Sequence, residues 1–379
     1  MYLAILIVRS VERNDIVKLR PSVAVVSNDD VTEFFLSDLR KSIILKMDKK
    51  VSSMLFHLDG TKTVSQWIES EGLSDEEFGD ISNLLDYLNS EHILIKIDED
   101  YQLSFKSYPR VFSLLENYYS SRSEVNQAFC RLSASTVIVI GLGSVGTWVA
   151  KCLAMDGVQN FIFVDDDNVE LSNLHRQLGF SESSIGEKKN NAFTRYLQEA
   201  SDNINIECIN DQLNDGFFQR HEFGRIDLIV NCADSPTVDE TSRIVGEYAM
   251  PRGIAHCIGG GYNLHQSLIG QIVIPGKTAC LECFRKNLDE LNVIDTSNIR
   301  KLNNKNRKLG SFPPLSSLSA AITANEAFKY LAGLNDFVMT NTRAEFSIKD
   351  LNFHTMEMQR REDCEWCGKK WKILSAIKA

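Results

Sequence analysis

The sequence predicts an α/β protein: a mostly parallel sheet flanked by helices, stapled by a four-cysteine metal site and preceded by a smaller winged-helix module. Three observations predict it. A short, unbroken apolar run, Thr136 to Ile140, feeds directly into the glycine-rich turn Gly141-Leu-Gly-Ser-Val-Gly146, the pattern of a strand buried on both faces that opens into a helix. Two CxxC knuckles, Cys280-Leu-Glu-Cys283 and Cys364-Glu-Trp-Cys367, lie downstream of that turn. The stretch up to residue 108 has a different texture, with turn signals between short β-rich runs followed by helical segments.

Composition bounds these readings. A chain of 379 residues with 43% hydrophobic content builds a substantial core and divides most naturally into two or three units. We place the boundaries at 1–108 for the N-terminal module, 109–133 for a linker or dimer-contact segment, and 134–379 for the core. The net charge of -10 argues against nucleic acid as the main partner. The apolar run Tyr2 to Val8 is short and meets Arg9 with no small-residue cleavage site, so neither a signal peptide nor a membrane span is expected. A cytoplasmic protein follows from this. Nine cysteines suit that compartment if four hold metal and Cys130, Cys152, Cys208, Cys232 and Cys257 stay reduced.

In the N-terminal module, Ser22 to Val26, Glu33 to Leu36 and Ser42 to Met47 read as a small antiparallel sheet. Three helices follow: about Lys49 to Leu58, then one from Thr63-Val-Ser to near Gly72, then one capped by Ser74 with Glu77 in the capping-box position and ending near Ser90. Ile93 to Ile97 and Tyr101 to Phe105 read as a closing hairpin around Asp98-Glu-Asp100. Sheet, helical triad and wing make a winged helix. The third helix carries Asp75, Glu76, Glu77, Asp80 and Asp86 without a Lys or Arg, which disfavours DNA as its ligand. With Leu58-Asp-Gly-Thr-Lys-Thr-Val at the first helix junction, residues 18 to 106 resemble the PqqD-like recognition element of peptide-modifying enzymes. The resemblance implies that a leader peptide adds as an extra strand to the sheet edge; the plainer alternative is a module that only docks on the rest of the protein.

In the core, the three glycines Gly141, Gly143 and Gly146 have separable uses: a tight turn, close approach of a phosphate to the backbone, and close packing of helix on strand. Phosphate oxygens would face the N-terminus of a helix from about Val145 to Met155. This is a Rossmann-like nucleotide site. Asp165 ends the next strand, Phe161 to Val164, 22 residues beyond Gly143, the distance for a carboxylate on a ribose hydroxyl. A nicotinamide-dependent dehydrogenase would show the same features. The run Asp165-Asp-Asp-Asn-Val-Glu-Leu-Ser-Asn-Leu-His-Arg-Gln177 reverses that preference, because Asp167, Asn173, Arg176 and Gln177, with Lys189 beyond, gather charges and amides that hydride transfer does not need and pyrophosphate departure does. Asp234 follows the buried strand Ile226 to Cys232, where open α/β sheets bind ligands. Four thiolates from the CxxC pairs are the ligand set of a closed, structural zinc site.

GLGSVG, DDDNVELSNLHRQ, IGEKK, VNCAD, PGKTACLEC and CEWC, in that order over residues 130 to 370, resemble the ubiquitin-activating, ThiF and MoeB superfamily of adenylating enzymes and its peptide-modifying branch. That resemblance implies ATP as substrate, with Asp165 on the adenosine ribose, Asn173, Arg176, Gln177 and Lys189 on the triphosphate, and Asp234 on Mg2+. It implies a homodimer in which an arginine ahead of the glycine-rich strand, here Arg122, reaches the partner's ATP. It also implies a precursor peptide as partner of the N-terminal module, with activation of a carboxylate, as in the pantocin-type members that act on glutamate side chains. Activation of a ubiquitin-like sulfur carrier is the alternative. No cysteine lies between Cys283 and Cys364, so thioester transfer is not expected. The basic segment Arg300 to Lys308 reads as a solvated loop or as a clamp for an acidic peptide. The Gly259-Gly-Gly261 run reads as a turn or as a place for a peptide backbone to approach. His175 reads as exposed or structural, His256 and Cys257 as core packing in a strand Ile254 to Ile258, and Ser316 to Leu331 as a core helix.

Overall fold

The computed structural model describes residues 10–199, 203–258, 261–263, 266–269, 271–291 and 310–368. The chain divides into two compact units, Met1–Cys130 and Arg131–Ala379.

The first unit holds β1 (Ile16–Leu19), β2 (Val23–Ser27), β3 (Val31–Leu36), β4 (Lys41–Lys46), α1 (Lys49–Leu55), β5 (Asp59–Thr63), α2 (Val64–Ser70), α3 (Asp75–Ser90), β6 (Leu94–Lys96), α4 (Pro109–Leu115) and the start of α5 (Arg122–Ala134). The expected meander forms, with β2, β3 and β4 paired antiparallel. Both capping boxes form as well: Thr63 with Gln66 starts α2, and Ser74 with Glu77 starts α3. Trp67, Phe34, Leu85 and Leu88 are buried between them, and Trp67 Nε1 donates to the Met54 carbonyl at 3.2 Å.

The expected closing hairpin does not form. β6 pairs antiparallel with β1, which pairs on its other edge with β5. Residues Leu103–Lys106 form a 3-10 turn instead of a strand. The cause is aromatic packing: Tyr101 stacks on Phe105 at 4.7 Å, both meet Phe112 edge-on, and Phe112 stacks on Phe129 at 4.6 Å. Rings separated by four residues are gathered to one side by a helical turn, whereas a strand would spread them along its length. The segment expected as a linker carries α4 and α5.

The second unit is built on β7 (Thr136–Ile140), α6 (Gly146–Asp156), β8 (Asn160–Val164), α7 (Lys189–Gln198), β9 (Asn205–Ile209), α8 (Phe217–Arg220), β10 (Leu228–Asn231), α9 (Val238–Ala249), β11 (Ala255–Cys257), β12 (Gly261–Asn263), β13 (Gln266–Ile269), β14 (Ile272–Val273), α10 (Leu281–Leu291), α11 (Pro313–Ala332), β15 (Thr342–Ser347) and β16 (Asn352–Glu357). The main sheet runs β14-β11-β10-β7-β8-β9, parallel except for β14. The chain goes outward from β7 to β8 and β9, then returns to the other side of β7 with β10. Order therefore reverses between β7 and β10, and a crevice opens at their carboxyl ends. A second, antiparallel sheet runs β12-β13-β15-β16, and α11 packs on α6. The segment Arg300 to Lys308, together with Gly259 and Gly260, lies outside the described residues.

One half-buried acid in this unit is governed by desolvation. Asp156 ends α6, and burial pushes its carboxyl up from 3.8 to about 6. The folded chain thus binds this proton more tightly than the unfolded chain, so stability falls as pH rises through 6 and is recovered towards 4. Asp156→Asn is expected to stabilise the protein by about 1–3 kcal/mol near pH 8 and by nothing measurable near pH 4, read by urea denaturation at both values.

Candidate functional site

The turn after β7 is shaped by how little room it has. A Cβ added at Gly146 would lie 1.9 Å from the Gly141 carbonyl oxygen, and one at Gly141, which has φ +89°, would lie 3.0 Å from the Cys232 and Ala233 backbone. Gly143 differs, since nothing lies within 4 Å of where its Cβ would be. The first and third glycines therefore let strand, helix and β10 close up, and the second leaves an open face on the backbone. Hydrogen bonds stitch the strand ends together. Gly141 N donates to Val164 O at 2.8 Å, Cys232 N to Ile140 O at 2.8 Å and Asp165 N to Ile209 O at 3.2 Å.

Asp165 is the junction of this site. Its Oδ2 accepts from Leu142 N at 2.6 Å and its Oδ1 from Asp167 N at 2.9 Å. Burial raises its carboxyl pKa, while the Lys189 charge and the two N–H donors work the other way. Asp167 Oδ2 in turn receives Lys189 Nζ at 2.6 Å. Lys189 is the first residue of α7 and its side chain is only 7% exposed, against 66% for Asp167. The buried cation is therefore held by a partner that faces solvent.

The rest of the polar run turns back on itself beside α6. Asn173, buried, accepts from Glu170 N at 2.8 Å. Arg176 Nη1 donates to Ser172 O at 2.5 Å, and His175 beside it is exposed. Gln177 is buried, and its amide oxygen has no hydrogen-bond partner among the described residues. Leu178 N donates to Thr147 Oγ1 at 3.2 Å, and that hydroxyl donates to Gly143 O at 2.9 Å, which brings the run against the glycine turn. Asp234 follows β10 as an exposed side chain. Arg122 belongs to the other unit, where its guanidinium lies over the Tyr101 ring, 4.6 Å from the centroid.

Three supporting residues escaped the sequence reading. Asn190 Nδ2 donates to Asp165 O, Ile209 O and Asn210 Oδ1 at 2.9, 3.1 and 3.0 Å, tying the ends of β8 and β9 behind Lys189. Asn231 Nδ2 donates to the Thr241 and Ser242 hydroxyls while its Oδ1 accepts from Ala233 N at 3.2 Å, which shapes the turn before Asp234. Thr147 is the third. A lone amide at the end of an otherwise apolar strand, as Asn231 is, was the available signal. His256 is the core residue expected: it is buried, its Nδ1 donates to Ile254 O at 3.1 Å, and burial pushes it down to about 4, leaving it neutral.

The four knuckle cysteines converge as expected. Their sulfurs all lie within 4.8 Å of one another, with separations of 3.5 Å for Cys280–Cys364 and 3.3 Å for Cys283–Cys367. A tetrahedral zinc with Zn–S of about 2.3 Å sets sulfurs about 3.8 Å apart, whereas a disulfide needs about 2.05 Å. The donor set therefore fits zinc. Hydrogen bonds from Cys280, Cys364 and Cys367 hold the Cys283 sulfur well below the usual thiol range. Arg361 N also points at the Cys283 sulfur, at 3.4 Å, and Arg360 binds Gly276 O and Cys367 O at 2.8 and 2.5 Å. Trp366 between the last two cysteines presses on Gly246 of α9, where an added Cβ would lie 2.4 Å from the ring.

Residues 123–366, more than half of the chain, match the ThiF family. The chain belongs to the ThiF family. Among curated ThiF-family relatives, the sulfur carrier protein ThiS adenylyltransferase of Escherichia coli strain K12 is 26% identical over 242 residues, 63% of this chain and 88% of that one. Ubiquitin-like modifier-activating enzyme 5 of Oryza sativa subsp. japonica is 26% identical over 250 residues, and the match spans 56% of its length. Among solved structures, E. coli MccB with AMPCPP and MccA superposes with a TM-score of 0.73 at 22% identity, covering 93% of this chain and 100% of that one. PaaA gives a TM-score of 0.68 at 18% identity over 90% of this chain and 99% of that one. At these identities the likeness is one of fold. Among the described residues no helix is long and apolar enough to cross a membrane.

Replacing Cys364 by Ser should lower bound zinc to a small fraction of one equivalent by elemental analysis and reduce the thermal midpoint by several degrees.

Proposed function

We propose that this ThiF-family chain is an adenylyltransferase that uses ATP to activate a carboxylate of a ribosomally made precursor peptide. The observation that carries the reading is the reach of the fold likeness: MccB, solved with MccA and AMPCPP, matches 93% of this chain, N-terminal unit included, whereas the ThiS adenylyltransferase aligns with 242 residues of it.

In this reading the open backbone at Gly143 and the N-terminus of α6 receive phosphate, and Asp165 holds the ribose. Asn173, Arg176, Gln177 and Lys189 hold the triphosphate. Asp234, exposed beyond the carboxyl end of β10, is the residue to hold Mg2+, which supplies charge neutralisation at the phosphoryl oxygens. A homodimer lets Arg122 of each protomer reach the nucleotide of its partner. A peptide carboxylate ordinarily loses its proton at about pH 4, so near neutrality it is already anionic and needs cations around the α-phosphate in place of a general base. Its oxygen attacks the α-phosphorus, the bond to the bridging oxygen breaks, pyrophosphate leaves, and an acyl adenylate remains.

What attacks that mixed anhydride is then a nucleophile of the substrate itself. Cys232 lies beside the glycine turn, but burial pushes its thiol up to about 12 and pushes Cys257 higher still. Neither has the thiolate character that an acyl-accepting cysteine needs. An amide or a ring in the peptide is the expected product. The N-terminal unit, with its antiparallel β2-β3-β4 sheet, is the proposed PqqD-like site of capture, by strand addition at a sheet edge.

The second reading, adenylation of the C-terminus of a ubiquitin-like sulfur carrier, draws on the ThiS adenylyltransferase relative, 88% of which is covered. ATP–pyrophosphate exchange separates the two: stimulation by a candidate precursor peptide and none by a Gly-Gly-ended carrier is expected, and the reverse result would replace the first reading with the second. Within either, Lys189→Ala and Asp234→Ala should each lower exchange by about 100-fold or more. Mixing inactive Arg122→Ala and Asp234→Ala proteins should restore part of the activity through the one intact site each mixed dimer contains, and an inactive mixture would remove Arg122 from the partner's site.

A further inference from the structure

Arg122 is the first residue of α5, the helix end where unpaired amides make the potential positive. A cation at that position does not serve the helix. Among the described residues Arg122 makes no ion pair, and its buried Nε has no hydrogen-bond partner. Its guanidinium instead rests on the face of Tyr101, 4.6 Å from the ring centroid.

That ring is held through its hydroxyl. The Tyr101 hydroxyl donates to Glu116 Oε1, and the same oxygen receives Lys18 Nζ at 3.0 Å. Glu116 is 2% exposed, so this anchor is shielded from water. Phe105 stacks on Tyr101 and Phe112 meets its edge at 5.1 Å, closing the remaining directions in which the ring could turn. Burial and Glu116 raise the Tyr101 pKa, which keeps the phenol protonated and able to donate. The arrangement has an unusual division of labour. Glu116 Oε1 is taken by Lys18 and Tyr101, while Arg122 takes the face of the ring. Arg122 is thereby seated on the ring by its π contact, with its Nε left without a hydrogen-bond partner among the described residues.

Resting on the role proposed for Arg122 above, we infer that Tyr101, locked by Glu116 and Lys18, is a positioning residue that presents the Arg122 guanidinium to the phosphates of bound nucleotide.

The test is AMPCPP binding to the full chain by calorimetry, which needs no peptide substrate. Tyr101→Leu should weaken binding by about 3- to 30-fold, and Tyr101→Phe, which keeps the ring face but loses the hydroxyl lock to Glu116, should give an intermediate loss. Arg122→Met should weaken binding at least as much as Tyr101→Leu, and the double variant Arg122→Met/Tyr101→Leu should be no weaker than Arg122→Met alone. If Arg122→Met weakens binding while Tyr101→Leu does not, the positioning inference falls and the Arg122 role stands. Additive losses overturn the inference as well, because Tyr101 would then act other than through Arg122. No effect of Arg122→Met overturns both. Should Tyr101→Leu fail to fold by circular dichroism, Tyr101→Trp takes its place: affinity retained by the larger ring face supports the inference, and a loss equal to that of Arg122→Met overturns it.

Discussion

The two N–H groups that converge on Asp165 are the constraint on which the site depends. One comes from Leu142 inside the glycine turn and the other from Asp167 in the polar run, so a single carboxylate fixes the relation between the two segments that carry the candidate ligand-binding groups. The strand ends could not be closed by side-chain packing here, because the gap between Gly141, Gly146 and the Cys232 backbone admits no Cβ. Backbone donors and one carboxylate do the joining instead. Two donors and the Lys189 charge offset part of the desolvation of the half-buried Asp165, whose carboxyl pKa remains raised. It also shows that a ribose hydroxyl at Asp165 would join an existing network in place of orienting a free side chain.

Much of this was legible in the sequence because it depends on local rules. Thr136–Ile140 is a strand because β-branched apolar residues run without interruption, and it stops at a glycine because φ is positive there. The helix starts at Val64 and Asp75 were written in Thr63 and Ser74 and their partners three residues on. The zinc ligands were legible at a distance, since two CxxC knuckles 84 residues apart name each other chemically even though nothing between them does. What failed was nonlocal. Tyr101 and Phe105 alternate well enough for a strand, but Phe112 and Phe129 lie beyond the reach of any short window, and their packing decides the conformation. The pairing of β1 with both β5 and β6 joins segments more than forty residues apart in sequence, which no periodicity encodes. Asn190 is not legible in the sequence because its neighbour Lys189 carries the recognisable charge, while the amide ties carbonyls at the ends of two separate strands.

The cysteine staple and the crevice beyond β7 and β10 draw on different elements of the second unit. Cys280 and Cys283 lie at the start of α10, and Cys364 and Cys367 follow the last strand of the antiparallel sheet, so the metal set joins the β14–α10 region to the end of that sheet. Met250, Val273, Ala279, Phe284 and Met358 pack around the sulfurs. Such a shell keeps water from the thiolates and leaves no coordination position to a substrate. The metal set therefore contributes to the architecture, and the charged residues proposed for chemistry, Lys189 at the start of α7 and Asp234 after β10, belong to other elements.

Those charges are few in a chain of net charge -10, and Lys189 shows how one is kept ready. A lysine ammonium with a side chain 7% exposed would be costly without a partner, and Asp167 supplies one at 2.6 Å. Because Asp167 is 66% exposed, its carboxylate can be rehydrated as soon as a stronger anion competes for Nζ. A pair open to solvent on one side contributes only about 0–1 kcal/mol, whereas a charge-assisted contact to a multiply charged phosphate contributes about 1.5–3 kcal/mol. In the proposed reading the exchange of Asp167 for phosphate at Lys189 is favourable on balance, and the ion pair is a placeholder for the nucleotide. A fully buried acid in its place would hold the lysine too tightly to be displaced.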